Sequence, residues 1–292
     1  MTSPHALLKA WNIKANKRLG QNFLTDPSTA AMIVTRASVS YKDVVLEIGA
    51  GLGALTVPAA RLAAKLYAVE KDSRLVDLLK AELLANNITN AILLNKNILQ
   101  VDISALAAES SRKLIVLGNL PYNISSQVLV QLISSRTAVK RAVLMFQLEL
   151  AQRLTADPGG RDYGRLSVMI QYCATIRSIS RVSANQFTPR PKVDSSVLEI
   201  DFNKSKGLDA DDELFFFKVI RAAFGRRRKM LKNSLAGSAL GIDADGARQA
   251  LAEARIESSR RAETLDVAEF LALSASLKKM LHRPSTAGET IL

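Results

Sequence analysis

Asn119, Leu120, Pro121 and Tyr122 carry the densest chemistry in the chain. An amide side chain offers one acceptor oxygen and two donor hydrogens. Proline fixes its own backbone and has no N–H. Tyrosine adds a flat apolar face with a polar tip. Within one turn these types can grip a flat ring that bears an amino group. A plain strand-to-helix turn with a packed tyrosine fits the same four residues. Two other stretches suit a ligand. Gly49-Ala50-Gly51-Leu52-Gly53 lets the backbone approach a ligand closely, and the acid Glu70, about 20 residues on, can accept from ribose hydroxyls. Phe187 to Asp194 is a stiff loop with two prolines, and its Arg190 and Lys192 can meet phosphate. A rigid hairpin connection with two solvated charges is the competing reading of that loop.

These residues need elements to position them. Val44 to Ile48 reads as a buried strand, Leu55 to Ala63 as a helix, and Lys65 to Val69 as a second strand ending at Glu70. Strand, glycine turn, helix, strand and acid in that order point to a nucleoside-containing cofactor. The spacing Gly49-x-Gly51-x-x-Ala54 does not choose between NAD and S-adenosylmethionine. Ser73 to Asn86 reads as a helix, Ile92 to Leu94 and Lys113 to Leu117 as strands, and Ala142 to Phe146 as a fifth strand. Such alternation predicts a parallel sheet with helices on both faces and ligands beyond the strands' carboxyl ends. Asn22, Gly49, Glu70, Asn97 and Asn119 then converge on one crevice. Ser180–Ser183 and Ser196–Phe202 predict an antiparallel closing pair. Asp26-Pro27 is a helix start, with Ala30, Ile33, Val34 and Ala37 on one face.

Composition narrows the partners. The 292 residues carry 40 Lys and Arg against 27 Asp and Glu, a net charge of +13. That excess points to a polyanion, nucleic acid or an anionic membrane surface. Aromatics are only 5%, which argues against a long stacking groove for single strands. No apolar run reaches the roughly 18 residues of a membrane span. The single Cys173 and the two histidines, His5 and His282, disfavour a disulfide and a zinc site and fit a cytoplasmic protein. No signal peptide is expected. Residues 1–16 read as a basic arm that need not be ordered. From Leu214 to Ile242 there is no acid, and Phe215 to Leu235 reads as one basic helix carrying Arg221, Arg226, Arg227, Arg228 and Lys229. A phosphate backbone suits it. The expected division is a catalytic domain over 1–205, a helical RNA-binding domain over 206–283, and a tail over 284–292.

Taken together, RLGQNFL at 18–24, EIGAGLGALT at 47–56, NLPYNIS at 119–125, YGRLSVM at 163–169, FTPRPKVDSSV at 187–197 and RRRKMLKNSL at 226–235 resemble one family. They are similar to the bacterial ribosomal RNA adenine dimethyltransferases of the KsgA type, across nearly the whole chain. The resemblance implies an α/β, Rossmann-like S-adenosylmethionine-dependent methyltransferase sheet, mostly parallel with one antiparallel closing strand, plus a smaller all-helical C-terminal domain. It implies dimethylation of N6 of two adjacent adenosines in the 3′-terminal hairpin of small-subunit RNA, on a pre-ribosomal particle, by a monomer that needs no metal or membrane. The cofactor, S-adenosyl-L-methionine, is expected at Gln21, Asn22, Leu24, Glu47, Gly49, Gly51, Glu70, Lys71, Asn97, Ile98 and Asn119. The reacting base is expected at Asn119, Leu120, Pro121, Tyr122 and Phe187, and RNA at Arg190, Lys192 and the basic helix.

One position departs from the family pattern. An Asp usually ends the third strand and meets the cofactor's adenine amino group; here the place falls on Asn97, or on Asn95. An amide can still accept, but without charge. In the reaction so implied, the Asn119 oxygen and the Leu120 carbonyl accept from N6, and Tyr122 and Phe187 sandwich the base. Three alternatives stay open at this point: a large-subunit RNA adenine methyltransferase of the macrolide-resistance type, an RNA-binding assembly factor with little catalysis, and an NAD-dependent oxidoreductase.

Overall fold

The computed structural model describes residues 3–202, 207–226 and 228–282. Arg227 and the tail 284–292 lie outside them. The chain divides into two compact units, Met1–Thr155 with Cys173–Lys204, and Ala156–Tyr172 with Ser205–Leu292.

The first unit begins with α1 (Pro4–Ala10), the short β1 (Phe23–Leu24) and α2 (Pro27–Arg36). It continues through β2 (Val44–Ile48), α3 (Thr56–Ala60), β3 (Lys65–Glu70), α4 (Ser73–Ala85), β4 (Ala91–Asn95) and α5 (Ile103–Ser110). Then come β5 (Leu114–Asn119), α6 (Ser125–Ser134), β6 (Val139–Gln147), α7 (Leu148–Thr155), β7 (Thr175–Val182), β8 (Phe187–Thr188) and β9 (Ser195–Asp201). Seven strands form one sheet in the order β4-β3-β2-β5-β6-β9-β7. Neighbours from β4 to β6 run parallel, and β9 is antiparallel to both β6 and β7. The expected sheet, mostly parallel with one antiparallel strand, is the one observed. Successive residues such as Val45 and Leu46 are both fully buried, because helices cover both faces.

The order of strands locates the ligand crevice. The chain builds outward from β2 to β3 and β4, then returns to place β5 on the other side of β2. Helices that depart to opposite faces leave a gap at such a switch point. The carboxyl ends that border it carry Gly49, Glu70 and Asn119.

The N-terminal arm is folded. Ser3 caps α1 by accepting from the Ala6 N–H at 3.3 Å. Leu7 and Ile13 are buried with Phe23, Leu52, Leu75 and Leu78. Composition had hidden this, since the two buried residues stand among cations. Asp26 caps α2 by accepting from the Ser28 and Thr29 N–H groups. The helix expected over 55–63 is shorter, ending at Ala60.

The second unit contains α8 (Arg165–Cys173) as far as Tyr172, then α9 (Ala210–Ala223), α10 (Leu231–Ala236), α11 (Ala244–Glu253) and α12 (Val267–Leu281). Its core joins Tyr163 and Val168 to Phe216, Ile220, Leu251, Phe270 and Leu277. The segment 156–172, read from sequence as part of the first domain, packs here for that reason. The continuous basic helix expected over 215–235 is not formed. Asp209 starts α9 earlier, accepting from the Asp212 N–H at 2.9 Å, and the helix stops at Ala223. Gly225 is a poor helix former, and adjacent cations with no acid nearby repel within one turn. Arg226, Arg228 and Lys229 therefore stand exposed in the connection between α9 and α10, with Arg221 exposed on the last turn of α9.

Candidate active site

The glycine turn after β2 folds onto the end of β3. The Gly49 and Ala50 N–H groups donate to the Val69 carbonyl at 2.9 and 3.1 Å. Gly49 and Gly51 hold φ of 74° and 54°, which side chains with a Cβ rarely adopt. Glu70 ties the turn down. Its Oε2 accepts from the Gly51 N–H at 2.9 Å, and its Oε1 from the Asp72 N–H at 2.8 Å. Burial still pushes the Glu70 carboxyl above the usual range.

These elements enclose a cleft of about 1160 Å³, counting its open mouth. Every residue expected to hold the cofactor lies in its wall: Gln21, Asn22, Leu24, Glu47, Gly49, Gly51, Glu70, Lys71, Asn97, Ile98 and Asn119. Leu120, Pro121 and Tyr122 line it too. Between the alternatives at the end of the third strand, Asn97 is in the wall and Asn95 is not. The Asn95 amide donates to the Glu70 and Lys71 carbonyls instead, at 3.0 and 3.2 Å. Asn97 starts a short 3-10 turn, its Oδ1 accepting from the Leu99 N–H at 3.2 Å. Gln21 uses both ends of its amide inside the protein: Oε1 accepts from the Asn16 N–H at 2.7 Å, and Nε2 donates to Asp72 Oδ2 at 2.9 Å.

Glu47 is 1% exposed, and its Oε2 has no hydrogen-bond partner among the described residues. Burial pushes its carboxyl up to about 8, and the nearby Glu70 adds to the shift. The Thr56 hydroxyl beside it offsets part, without full hydrogen-bonding geometry. The folded protein thus holds this proton to about pH 8, whereas the unfolded chain releases it near 4.5. Stability falls as pH rises between those values. Glu47→Gln is expected to raise stability at pH 8 by about 2 kcal/mol or more and to flatten that slope. Thermal denaturation at pH 5 and pH 8 checks it; an unchanged slope in the variant would assign the pH dependence elsewhere.

The decisive contact is at Asn119. Its Nδ2 donates to the Asn22 carbonyl at 2.8 Å. A backbone carbonyl can only accept, so the amide orientation is fixed: nitrogen toward Asn22, Oδ1 left for an outside donor. Leu120 follows, 1% exposed, its N–H donating to the Met145 carbonyl at 3.3 Å. Pro121 turns the chain, and its carbonyl accepts from the Ile124 N–H and the Ser125 hydroxyl at 3.1 and 3.0 Å. The Tyr122 ring is half-buried, its hydroxyl 2.8 Å from Ser195 Oγ.

Phe187 is the exception. It is 4% exposed, belongs to the core, pairs with Leu24 across β1 and β8, and is absent from the cleft wall. Arg190 and Lys192 are exposed on the following loop. Sequence reasoning missed Arg18 and Lys96, two cations of the wall, and the anchors Asp72 and Ser195. Lys96 had a signal, since it directly precedes Asn97. Ser195 had none, because its partner is 73 residues away.

Comparison with known proteins gives a consistent picture. The family model described as "Ribosomal RNA adenine dimethylase" matches residues 12–279. A protein of Desulforapulum autotrophicum named "Ribosomal RNA small subunit methyltransferase A" is 53% identical over 280 residues, covering 96% of this chain and 98% of its own. One of the same name from Magnetococcus marinus is 41% identical over 268 residues, covering 92% and 94%. Among solved structures, a dimethyladenosine transferase from Plasmodium falciparum superposes with a TM-score of 0.72 at 27% identity, covering 88% of this chain and 98% of that one. The 23S rRNA methyltransferase ErmE shares the fold, with a TM-score of 0.68 at 24% identity, 88% of this chain and 100% of that one.

Proposed function

The chain belongs to the ribosomal RNA adenine dimethylase family, and from that premise we propose that it dimethylates N6 of two adjacent adenosines in the 3′-terminal hairpin of small-subunit ribosomal RNA, using S-adenosyl-L-methionine. The observation that carries this reading is the fixed Asn119 amide, which presents an oxygen to the cleft where an amino group would arrive. The small-subunit target is favoured by the name of the 53% identical relative; the likeness to ErmE speaks to the fold alone.

The cleft fits the cofactor on its own terms. A buried Glu47 oxygen without a partner leaves room for a polar group of the ligand, and Gly49 and Gly51, with no side chains, open the backbone on either side of Ala50. Glu70, Asn97 and Ile98 would hold the nucleoside end. When bound, S-adenosyl-L-methionine supplies an activated methyl group on a sulfonium cation.

The chain's own residues then have definable tasks. The N6 lone pair of adenine is delocalised into the ring, and the amine must turn pyramidal to react. Asn119 Oδ1 and the Leu120 carbonyl favour that change by accepting from both N6 hydrogens. Tyr122 offers a ring face to the base and to its developing positive charge. Its hydrogen bond with Ser195 holds the ring in place. Positioning and electrostatics supply the catalysis, and no strong base is required. An adenosine that is unpaired or mismatched costs least to draw from its stack.

RNA affinity is assigned to the exposed cations of the second unit. Arg228→Gln with Lys229→Gln is expected to lower the salt slope of RNA binding by about two, since each lost phosphate contact removes roughly one. Arg226 is left intact because its guanidinium packs against Gly237. An unchanged slope in a filter-binding series would make these cations structural. We further place the protein in the cytoplasm, acting as a monomer on a maturing particle. Among the described residues no helix is long and apolar enough to cross a membrane, and no three or more His, Cys, Asp or Glu side chains cluster as metal ligands would.

Methylation of purified small subunits from an unmethylated strain, with the modified base mapped, tests the function. Dimethylation of two adjacent adenosines near the 3′ end is expected. Modification of large-subunit RNA instead, or none with intact cofactor binding, would overturn it. Calorimetric titration with S-adenosyl-L-methionine and with NAD separates the oxidoreductase class.

A further inference from the structure

Gln131 stands on α6, outside the cleft wall, and its amide is committed to a single turn. Nε2 donates to the Ile98 carbonyl at 3.1 Å and to the Val101 carbonyl at 2.8 Å, so both amide hydrogens are used. Those carbonyls bracket the 3-10 turn Ile98–Gln100. Asn97 begins that turn and Ile98 is buried in it; both line the cleft. The other end of the amide is unrewarded: Gln131 Oε1 is buried and has no partner among the described residues. A buried unsatisfied acceptor is costly, and an apolar residue of equal length would remove that cost. What glutamine retains over such a residue is its pair of donors.

The same helix is tied to the Asn119 turn at its start, where the Ile124 N–H and the Ser125 hydroxyl both donate to the Pro121 carbonyl. One rigid element therefore connects the turn that presents Asn119 with the turn that presents Asn97. The latter belongs to no strand. Its leading edge is held by the Lys96 N–H, which donates to the Glu70 carbonyl at 3.1 Å, and its far edge is held by Gln131.

We infer that Gln131 is a positioning residue that sets the wall formed by Asn97 and Ile98, and so governs how the site distinguishes the cofactor's purine. The inference rests on the proposed use of S-adenosyl-L-methionine. On that reading the Asn97 oxygen, which already accepts from the Leu99 N–H, would accept in addition from the purine's amino group; a purine with a carbonyl there offers no such donor.

The test uses the full-length protein and two ligands, S-adenosylhomocysteine and its inosine-bearing counterpart, titrated calorimetrically into wild type, Gln131→Met, Asn97→Ala and the double variant. Gln131→Met is expected to bind the adenine ligand about three- to tenfold more weakly, the size of effect expected for one or two neutral hydrogen bonds. Affinity for the inosine ligand stays nearly constant, so the preference shrinks. In the Asn97→Ala background the Gln131→Met effect disappears, because both act through one turn. Gln131→Leu, which also lacks the donors, stands in if Gln131→Met does not fold, and Gln131→His, which keeps a ring N–H donor, retains most of the preference. An unchanged ratio of affinities overturns the inference, as does a uniform loss for both ligands that tracks melting temperature. Wild type that binds neither ligand overturns the functional proposal instead.

Discussion

Asn119→Ala is expected to lower methyl transfer by about 10²- to 10³-fold, the range seen when one donor or acceptor that meets developing charge is removed. RNA affinity should change far less. The argument is geometric. Asn119 ends β5 at the switch point of the sheet, and its amide nitrogen is committed to the Asn22 carbonyl. That bond spans 97 residues and holds the oxygen in one orientation. Alanine removes both the acceptor and the tether. Asn119→Asp separates the two: a carboxylate accepts well but cannot donate to the Asn22 carbonyl, so the oxygen loses its fixed place. Asp is therefore expected to recover little. A radiolabelled-methyl assay beside a melting curve reads both variants. Turnover near wild type in either, or a loss explained by unfolding, would remove Asn119 from its role.

Much of this architecture can be read directly from residue patterns, and the exceptions share a cause. Val44–Ile48 forms over the residues that its apolar run marks, because burial on both faces decides it. The crevice follows from alternation of strands and helices, and the cleft wall holds every residue expected of it except Phe187. What stays hidden depends on contacts distant in sequence. The Asn119–Asn22 and Tyr122–Ser195 bonds leave no periodic trace. Neither does the packing of 156–172 with the second unit, since Tyr163 and Val168 look apolar wherever they go. The basic stretch misleads for another reason. Its apolar spacing suits a helix across 215–235, but local repulsion and Gly225 outweigh it, and the cations end in a connection. The N-terminal arm errs the other way, its charges masking Leu7 and Ile13, the buried apolar residues that anchor it.

Phe187 carries the second large effect, and there packing and chemistry must be separated. The ring is 4% exposed within the core of the first unit. Truncation to alanine is expected to cost about 3–5 kcal/mol, as for other buried phenylalanines. For a protein of this size that lowers the melting temperature by roughly 6–15 °C. A fall in activity of Phe187→Ala alone therefore says nothing about catalysis. Phe187→Leu is the informative change. It conserves most of the volume, so it should cost less than about 1.5 kcal/mol, but it has no π-face. Phe187 pairs with Leu24, two residues from the carbonyl that orients Asn119, and Leu24 itself lines the cleft. Under the proposed function the base needs a wall opposite Tyr122, and Phe187, buried beside Leu24 and outside the cleft wall in this structure, would have to present its ring there. Phe187→Leu is accordingly expected to lower methyl transfer about tenfold or more, within the 1–3 kcal/mol that base stacking contributes, while the melting temperature moves by only a few degrees. Single-turnover rates set beside melting curves decide the matter. If transfer falls only in proportion to stability across the leucine and alanine variants, Phe187 is a core residue and Tyr122 faces the base alone.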